Sequence, residues 1–132
     1  MSPHEIGALG EKIAALHLQR LGWKVLYRNF QAPKGGEVDL VMRGGTEFDL
    51  LVFVEVKTRT RRDFGRPLRA VNAEKKELIM RGGNEWLRLL GKDSGGAGEG
   101  DRRRSISWRY DVVEIVLEEG KAPDVNLVEN AF

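Results

Sequence analysis

The chain predicts an α/β fold in which one mixed sheet of four or five strands is flanked by helices, in the order α-β-β-β-α-β-(β). Three observations predict it. Two apolar runs, residues 38–42 and 50–56, flank the turn-forming Arg43-Gly44-Gly45-Thr46-Glu47 and read as a hairpin. Two stretches with apolar residues at helical spacing, 4–21 and 72–90, bracket the strands. Alternating stretches at 107–117 and 124–128 follow the second helix and supply the remaining strands. Because the first strands are linked by hairpins, a simple doubly wound fold is excluded.

In the first helix Ile6, Leu9, Ile13, Leu16 and either Arg20 or Leu21 recur on one face, read as core, and Gly22 ends it. Glu11 lies on an adjoining face with Gly7, Ala8, Ala15 and Leu18, whose small residues would let the helix approach the sheet and leave the carboxylate pointing inward. The other reading of Glu11 is an ordinary surface glutamate; His17 reads as helix packing. Residues 23–30 alternate as a first strand, with Trp23 and Tyr27 assigned to the core, and 31–36 turn the chain into the hairpin. Residues 67–71 suit one helical turn. Asn72 then caps a helix whose stripe Leu78, Gly82, Trp86 and Leu89 extends back to Lys75. Lys75 therefore either reaches the sheet from the helix start or snorkels to solvent. Residues 91–104 are Gly-rich with almost no apolar side chains, and a mobile loop is expected there.

At 132 residues the chain makes one domain. It has no cysteine and two histidines, so any metal must be held by oxygen. No leader-like N-terminus and no apolar run near the ~20 residues needed to span a bilayer point to the cytoplasm. The net charge of +2 divides unevenly. Between residues 57 and 69, Lys57, Arg59, Arg61, Arg62, Arg66 and Arg69 stand against Asp63 alone, +5 in all, which leaves −3 for the rest. Such a segment either meets phosphates, which arginine's fork binds bidentately, or is a solvated loop.

The run 50–56 reads as a central strand buried on both faces, yet it carries Glu55. If the turn centres near Glu47, residues whose numbers sum to 94 face each other, so Asp39 lies opposite Glu55 and Lys57 shares their side. Two carboxylates about 5 Å apart repel by roughly 3 kcal/mol at an effective dielectric near 20. A hard divalent cation, Mg²⁺ or Mn²⁺, completed by water and a substrate phosphate, suits that ligand set. The plain alternative is a salt bridge of Lys57 with Glu55 or Asp39.

Gly36-Glu37-Val38-Asp39-Leu40 followed by Val52-Phe53-Val54-Glu55-Val56-Lys57-Thr58-Arg59 resembles the core of the PD-(D/E)XK nuclease superfamily. More closely the chain resembles the YraN family of small bacterial proteins, itself similar to archaeal Holliday-junction resolvases, over nearly its whole length. The resemblance implies a restriction-endonuclease-like fold, with Asp39 and Glu55 as metal ligands, Glu11 as the acidic residue of the first helix, Lys57 as the catalytic lysine and Lys75 as the second-helix residue facing the carboxylates. It implies a metal-dependent DNA endonuclease acting on branched or flapped DNA, with Arg59, Arg61, Arg62, Arg66 and Arg69 on the phosphates. Cutting two strands takes two sites, and a homodimer is one arrangement open to the chain. The reading from another class is a nucleic-acid-binding or scaffold protein that keeps the fold without cutting.

Overall fold

The structure is a computed structural model of the chain, and the residues it describes are 1–45, 49–60, 72–93 and 107–132, with backbone alone at 92 and 93. The elements run α1 (Pro3–Arg20), β1 (Lys24–Gln31), β2 (Glu37–Gly44), β3 (Leu50–Thr60), α2 (Ala73–Asp93), β4 (Ser107–Leu117) and β5 (Asp124–Val128). One open sheet has the order β1-β2-β3-β4-β5. The first three strands pair antiparallel, β3 and β4 pair parallel, and β5 returns antiparallel on β4. A parallel pair needs a long crossover, and α2 lies within the one between β3 and β4. The expected mixed α/β sheet with helices on both faces is therefore the observed one.

The β2–β3 register holds Leu40 opposite Val54, Val41 opposite Phe53 and Gly44 opposite Leu50, each pair summing to 94 as the turn predicts. Buried β3 residues alternate between two cores. Val52 and Val54 join Leu40, Met42, Val113, Ile115 and the Ala14, Ala15 and Leu18 of α1. Phe53 faces the other way, with Val41, Tyr110 and the Ile79 of α2. The strand runs on to Thr60, past the point where its apolar run ends.

Helix α1 starts at a capping box in which the Ser2 hydroxyl accepts from Glu5 N–H and the Glu5 carboxylate accepts from Ser2 N–H. Its buried face differs from the expected one. Gly10, Ala14, Ala15 and Leu18 are buried, while Leu16 and Leu21 are about half exposed. The face shifts because α1 comes too close to β3 at Gly10 for any side chain there. A Cβ on Gly10 would lie 2.9 Å from Thr58 Cβ, whereas one on Gly7 would meet nothing. Gly10→Ala is accordingly expected to destabilise by about 1–3 kcal/mol through overpacking. Gly7→Ala should stabilise by up to about 1 kcal/mol through helix propensity alone. Paired thermal melts check both signs.

Two smaller corrections concern α2 and Tyr27. The α2 core face centres on Ile79, Gly82 and Gly83, with Leu89 exposed, and the helix continues through residues 91–93, which composition assigned to a loop. The rest of that expected loop and the helical turn at 67–71 fall outside the described residues. Tyr27, expected in the core, is half exposed on the edge strand, with its ring against Trp86. Asp111 is structural, and its partner Arg109 is close in sequence. Fully buried, it accepts from Arg109 Nε at 2.9 Å and from Asn130 N–H at 2.8 Å. These bonds hold residues 130–132 on β4, where the Phe132 ring stacks on Tyr110.

Candidate active site

The site forms where the β2–β3 ladder opens. Beyond the Leu40–Val54 pair, the Asp39 side chain takes the place of a backbone acceptor, and its Oδ2 accepts from Val56 N–H at 2.8 Å. Alternation slips at this level. Val38 and Val41, three residues apart, both pack on the α2 side, although a regular strand would turn one of them away. The slip is matched in β1. Tyr27 and Phe30, also three apart, both set their rings against Trp86, at 5.7 and 5.3 Å between centroids. Between them Asn29 has φ 53°, the left-handed region, and the pairs Arg28–Leu40 and Phe30–Val38 put it level with Asp39. Asp39 thus sits at a break in the sheet, reached by groups from both faces.

From the α2 side comes Glu55, 6% exposed, on the same face of β3 as Phe53. Burial and the neighbouring Asp39 carboxylate push its pKa up to about 8, so the free site holds a proton between the two acids. Burial also raises Asp39, against the pull of the Val56 N–H and the Lys75 charge. Glu55 Oε2 is buried with no hydrogen-bond partner in the protein, leaving an acceptor open to a proton, a water or a cation.

The cation that α2 brings to this pair is Lys75. Asn72 Oδ1 accepts from Lys75 N–H at 2.8 Å and caps α2, which aims the first helical turn at the sheet. The Lys75 ammonium donates to Glu37 and lies 3.7 Å from Glu55 Oε1. Burial works to lower its pKa, but the Glu37 hydrogen bond and the surrounding carboxylates outweigh it and hold the ammonium charged. The helix thus supplies an ion pair at Glu55. Lys57 and Arg59 follow Glu55 on the same face of β3 by alternation, Lys57 level with Glu114 of β4. Arg61, Arg62, Arg66 and Arg69 lie outside the described residues.

From the α1 side comes Glu11. Burial first, and then the Asp39 charge, raise its pKa, while a hydrogen bond from Asn29 works against them. With the Asn29 amide nitrogen turned toward Glu11, it donates to the two carboxylate oxygens at 3.1 and 3.3 Å. The structure brings Glu11, Asp39, Glu55 and Lys75 to one break in the sheet and adds Glu37 and Asn29, which the sequence reading passed over. Glu37 had a signal, standing two residues before Asp39. Asn29 had only its tolerance of positive φ inside a strand-like run.

Among the described residues, no three carboxylate or imidazole groups converge closely enough to hold an ion between them. The fit for a divalent cation rests on the Asp39–Glu55 pair and its orphaned oxygen, a two-carboxylate set that suits Mg²⁺ or Mn²⁺ completed by water and phosphate. Among those residues, too, no helix is long and apolar enough to cross a membrane.

Residues 10–115 match the sequence profile of the "Uncharacterised protein family UPF0102". The chain belongs to the UPF0102 family. This is the YraN family, to which the hairpin motif pointed. A UPF0102 protein of Rhodococcus jostii is 39% identical over 96% of this chain and 95% of its own length. One from Bifidobacterium longum is 37% identical over 100% and 96%, and one from Trichlorobacter lovleyi 34% over 96% and 89%. The matches to these UPF0102 relatives take in every element that builds the site, since each spans nearly the full chain.

Proposed function

We propose that this UPF0102 chain is a divalent-metal-dependent deoxyribonuclease of the PD-(D/E)XK type, working in the cytoplasm on branched or flapped DNA. One observation carries the reading. Two carboxyl groups stand side by side at the break between β2 and β3, Glu55 buried and Asp39 half-buried, one oxygen of Glu55 has no hydrogen-bond partner in the protein, and a lysine from α2 faces them. Asp39 serves the fold by accepting from Val56 N–H, but placing Glu55 beside it raises the cost of charging either acid, a cost that a bound cation removes. Asp39 and Glu55 would hold the ion directly and Glu11 through water. When bound, Mg²⁺ or Mn²⁺ supplies charge neutralisation at the phosphate and a more acidic attacking water.

The chain's own residues do the rest. Lys57, on the Glu55 face, positions that water or stabilises the negative charge that develops on the phosphoryl oxygens. Lys75, tethered by Glu37, supplies a second cation at the same place. No covalent intermediate is needed. Arg59 and the basic residues that follow it in sequence bind the backbone independently of base sequence. Replacing Arg59, Arg61 and Arg62 together by Ala should weaken all sequences alike and flatten the log–log salt dependence by about 0.9 per lost duplex phosphate contact. An unchanged slope would make the segment a solvated loop.

The test of the activity is cleavage of linear, nicked, flapped and four-way DNAs in Mg²⁺, Mn²⁺ and EDTA. Metal-dependent cutting of any of them is expected. If none is cut while DNA still binds, the scaffold reading replaces this one.

A further inference from the structure

We propose that Asn29 is a positioning residue that holds the Glu11 carboxylate toward Asp39 across the break in the sheet. The inference deepens the nuclease reading and rests on it for its functional consequence, although the contact itself can be tested without metal or DNA.

A left-handed φ of 53° inside a strand is unfavourable for most residues with a Cβ, and Asn is among the few that tolerate it. Its effect here is specific. Because Tyr27 and Phe30 both face α2, the slip leaves Arg28 and Asn29 together for the side on which α1 packs. Without it, alternation would return one of the two rings to that side. The deviation in backbone therefore places an amide where α1 presents Glu11.

The side chains on that side then act together. Glu11 follows Gly10, the residue at which α1 comes against Thr58, so its backbone is fixed relative to β3. Its side chain is half-buried, and Asp39 repels it. A glutamate in that position would swing toward solvent, gaining rotamer freedom and escaping a like charge. Two hydrogen bonds from one amide oppose this, since Asn29 reaches both carboxylate oxygens. Arg28 adds a positive charge near Glu11 on the same side. In the nuclease reading, the result is a third carboxylate held ready for a water of the metal shell. Residues that orient a metal site from behind in this way are worth roughly 10–100-fold in affinity or activity.

Two variants separate positioning from a backbone role. Asn29→Gly keeps the positive φ and removes the amide. Asn29→Asp keeps the size and the tolerance of positive φ but replaces the donor with an acceptor that repels Glu11. In the metal-free protein, NMR should show two distinct Glu11 Hγ resonances for the wild type and their collapse toward one averaged shift in both variants. In Asn29→Gly, the Mg²⁺ concentration for half-maximal thermal stabilisation should rise, and any cleavage fall, by roughly 10–100-fold. If the Glu11 resonances stay distinct in both variants, the inference is overturned, even where the melting midpoint drops, because a merely structural residue would do that. If they collapse while the wild type neither binds metal nor cuts DNA, the positioning contact stands and the nuclease reading falls. If the wild type cuts and Asn29→Gly cuts equally, Asn29 is overturned and the nuclease reading stands.

Discussion

Raising the pH from about 5 to about 8 is expected to lower the melting midpoint of the metal-free protein, and Glu55→Gln is expected to remove most of that loss. The direction follows from proton counting. Glu55 has an ordinary value of 4.5 when unfolded and is pushed up to about 8 in the fold. Between those values the folded state holds a proton that the unfolded chain has released, so the free energy of unfolding falls as pH rises. The penalty is absent below 4.5 and complete above about 8. Its slope approaches ~1.4 kcal/mol per pH unit while one proton differs between the states. Asp39 and Glu11 are raised too and add in the same direction. Lys75, raised from 10.5, contributes stability that is lost only above this window.

Metal should reverse the trend. An ion takes the place of the proton, so Mg²⁺ is expected to stabilise more at pH 8 than at pH 5, and at pH 8 a hundred times its dissociation constant should add ~2.7 kcal/mol in all. In Glu55→Gln the amide donates to Asp39 without a charge to bury, so the variant should melt higher than the wild type at pH 8 without metal and respond little to metal. Melts over pH 5–8, with and without millimolar Mg²⁺, check all of this. Equal pH trends in the two proteins would place the titration elsewhere, and a wild-type midpoint indifferent to metal would count against a preformed site.

That Glu55 and Asp39 are neighbours was legible because a Gly-rich turn and two apolar runs leave little choice of register, and β2 and β3 keep it from Gly44–Leu50 to Leu40–Val54. Lys75 was legible by helical spacing from Leu78 and Gly82, given Asn72 as the cap. The bounds of β4 and β5 followed from alternation alone. The buried face of α1 was not legible, since periodicity weighs large apolar residues and the close approach at Gly10 rewards small ones. Nor was the break at Asn29 and Asp39. Strict alternation puts Asp39 on the Glu55 face, whereas the chain lets its carboxylate replace a backbone acceptor for Val56, a choice made by tertiary competition and not by local pattern. Asn29 could not be found without knowing that the strand slips there.

Asp39→Asn is expected to bind DNA more tightly than the wild type in EDTA and to lose metal-dependent cutting. Without an ion, Asp39 and Glu11 face the phosphate as carboxyl groups of like sign, so removing one charge within several ångströms should tighten binding by about tenfold, or ~1.4 kcal/mol. Cutting should fall by at least about a hundredfold, because the ion loses one of its two direct ligands and the developing charge loses its stabilisation. The fold should survive. The carbonyl oxygen of the introduced amide keeps the acceptor for Val56 N–H, and the amide nitrogen turns to Glu55, whose pKa then drops as the neighbouring charge disappears. The salt-bridge alternative predicts the reverse, since losing Asp39 would leave a lysine less compensated, lower the melting midpoint and give no reason for binding and cleavage to part. DNA affinity in EDTA, cleavage in Mg²⁺ and the melting midpoint, measured for both proteins, separate the readings. A variant that cuts as well as the wild type would remove Asp39 from the site, whereas tighter binding with lost cutting and an unlowered midpoint is the result expected if Asp39 and Glu55 exist to hold an ion against a phosphate.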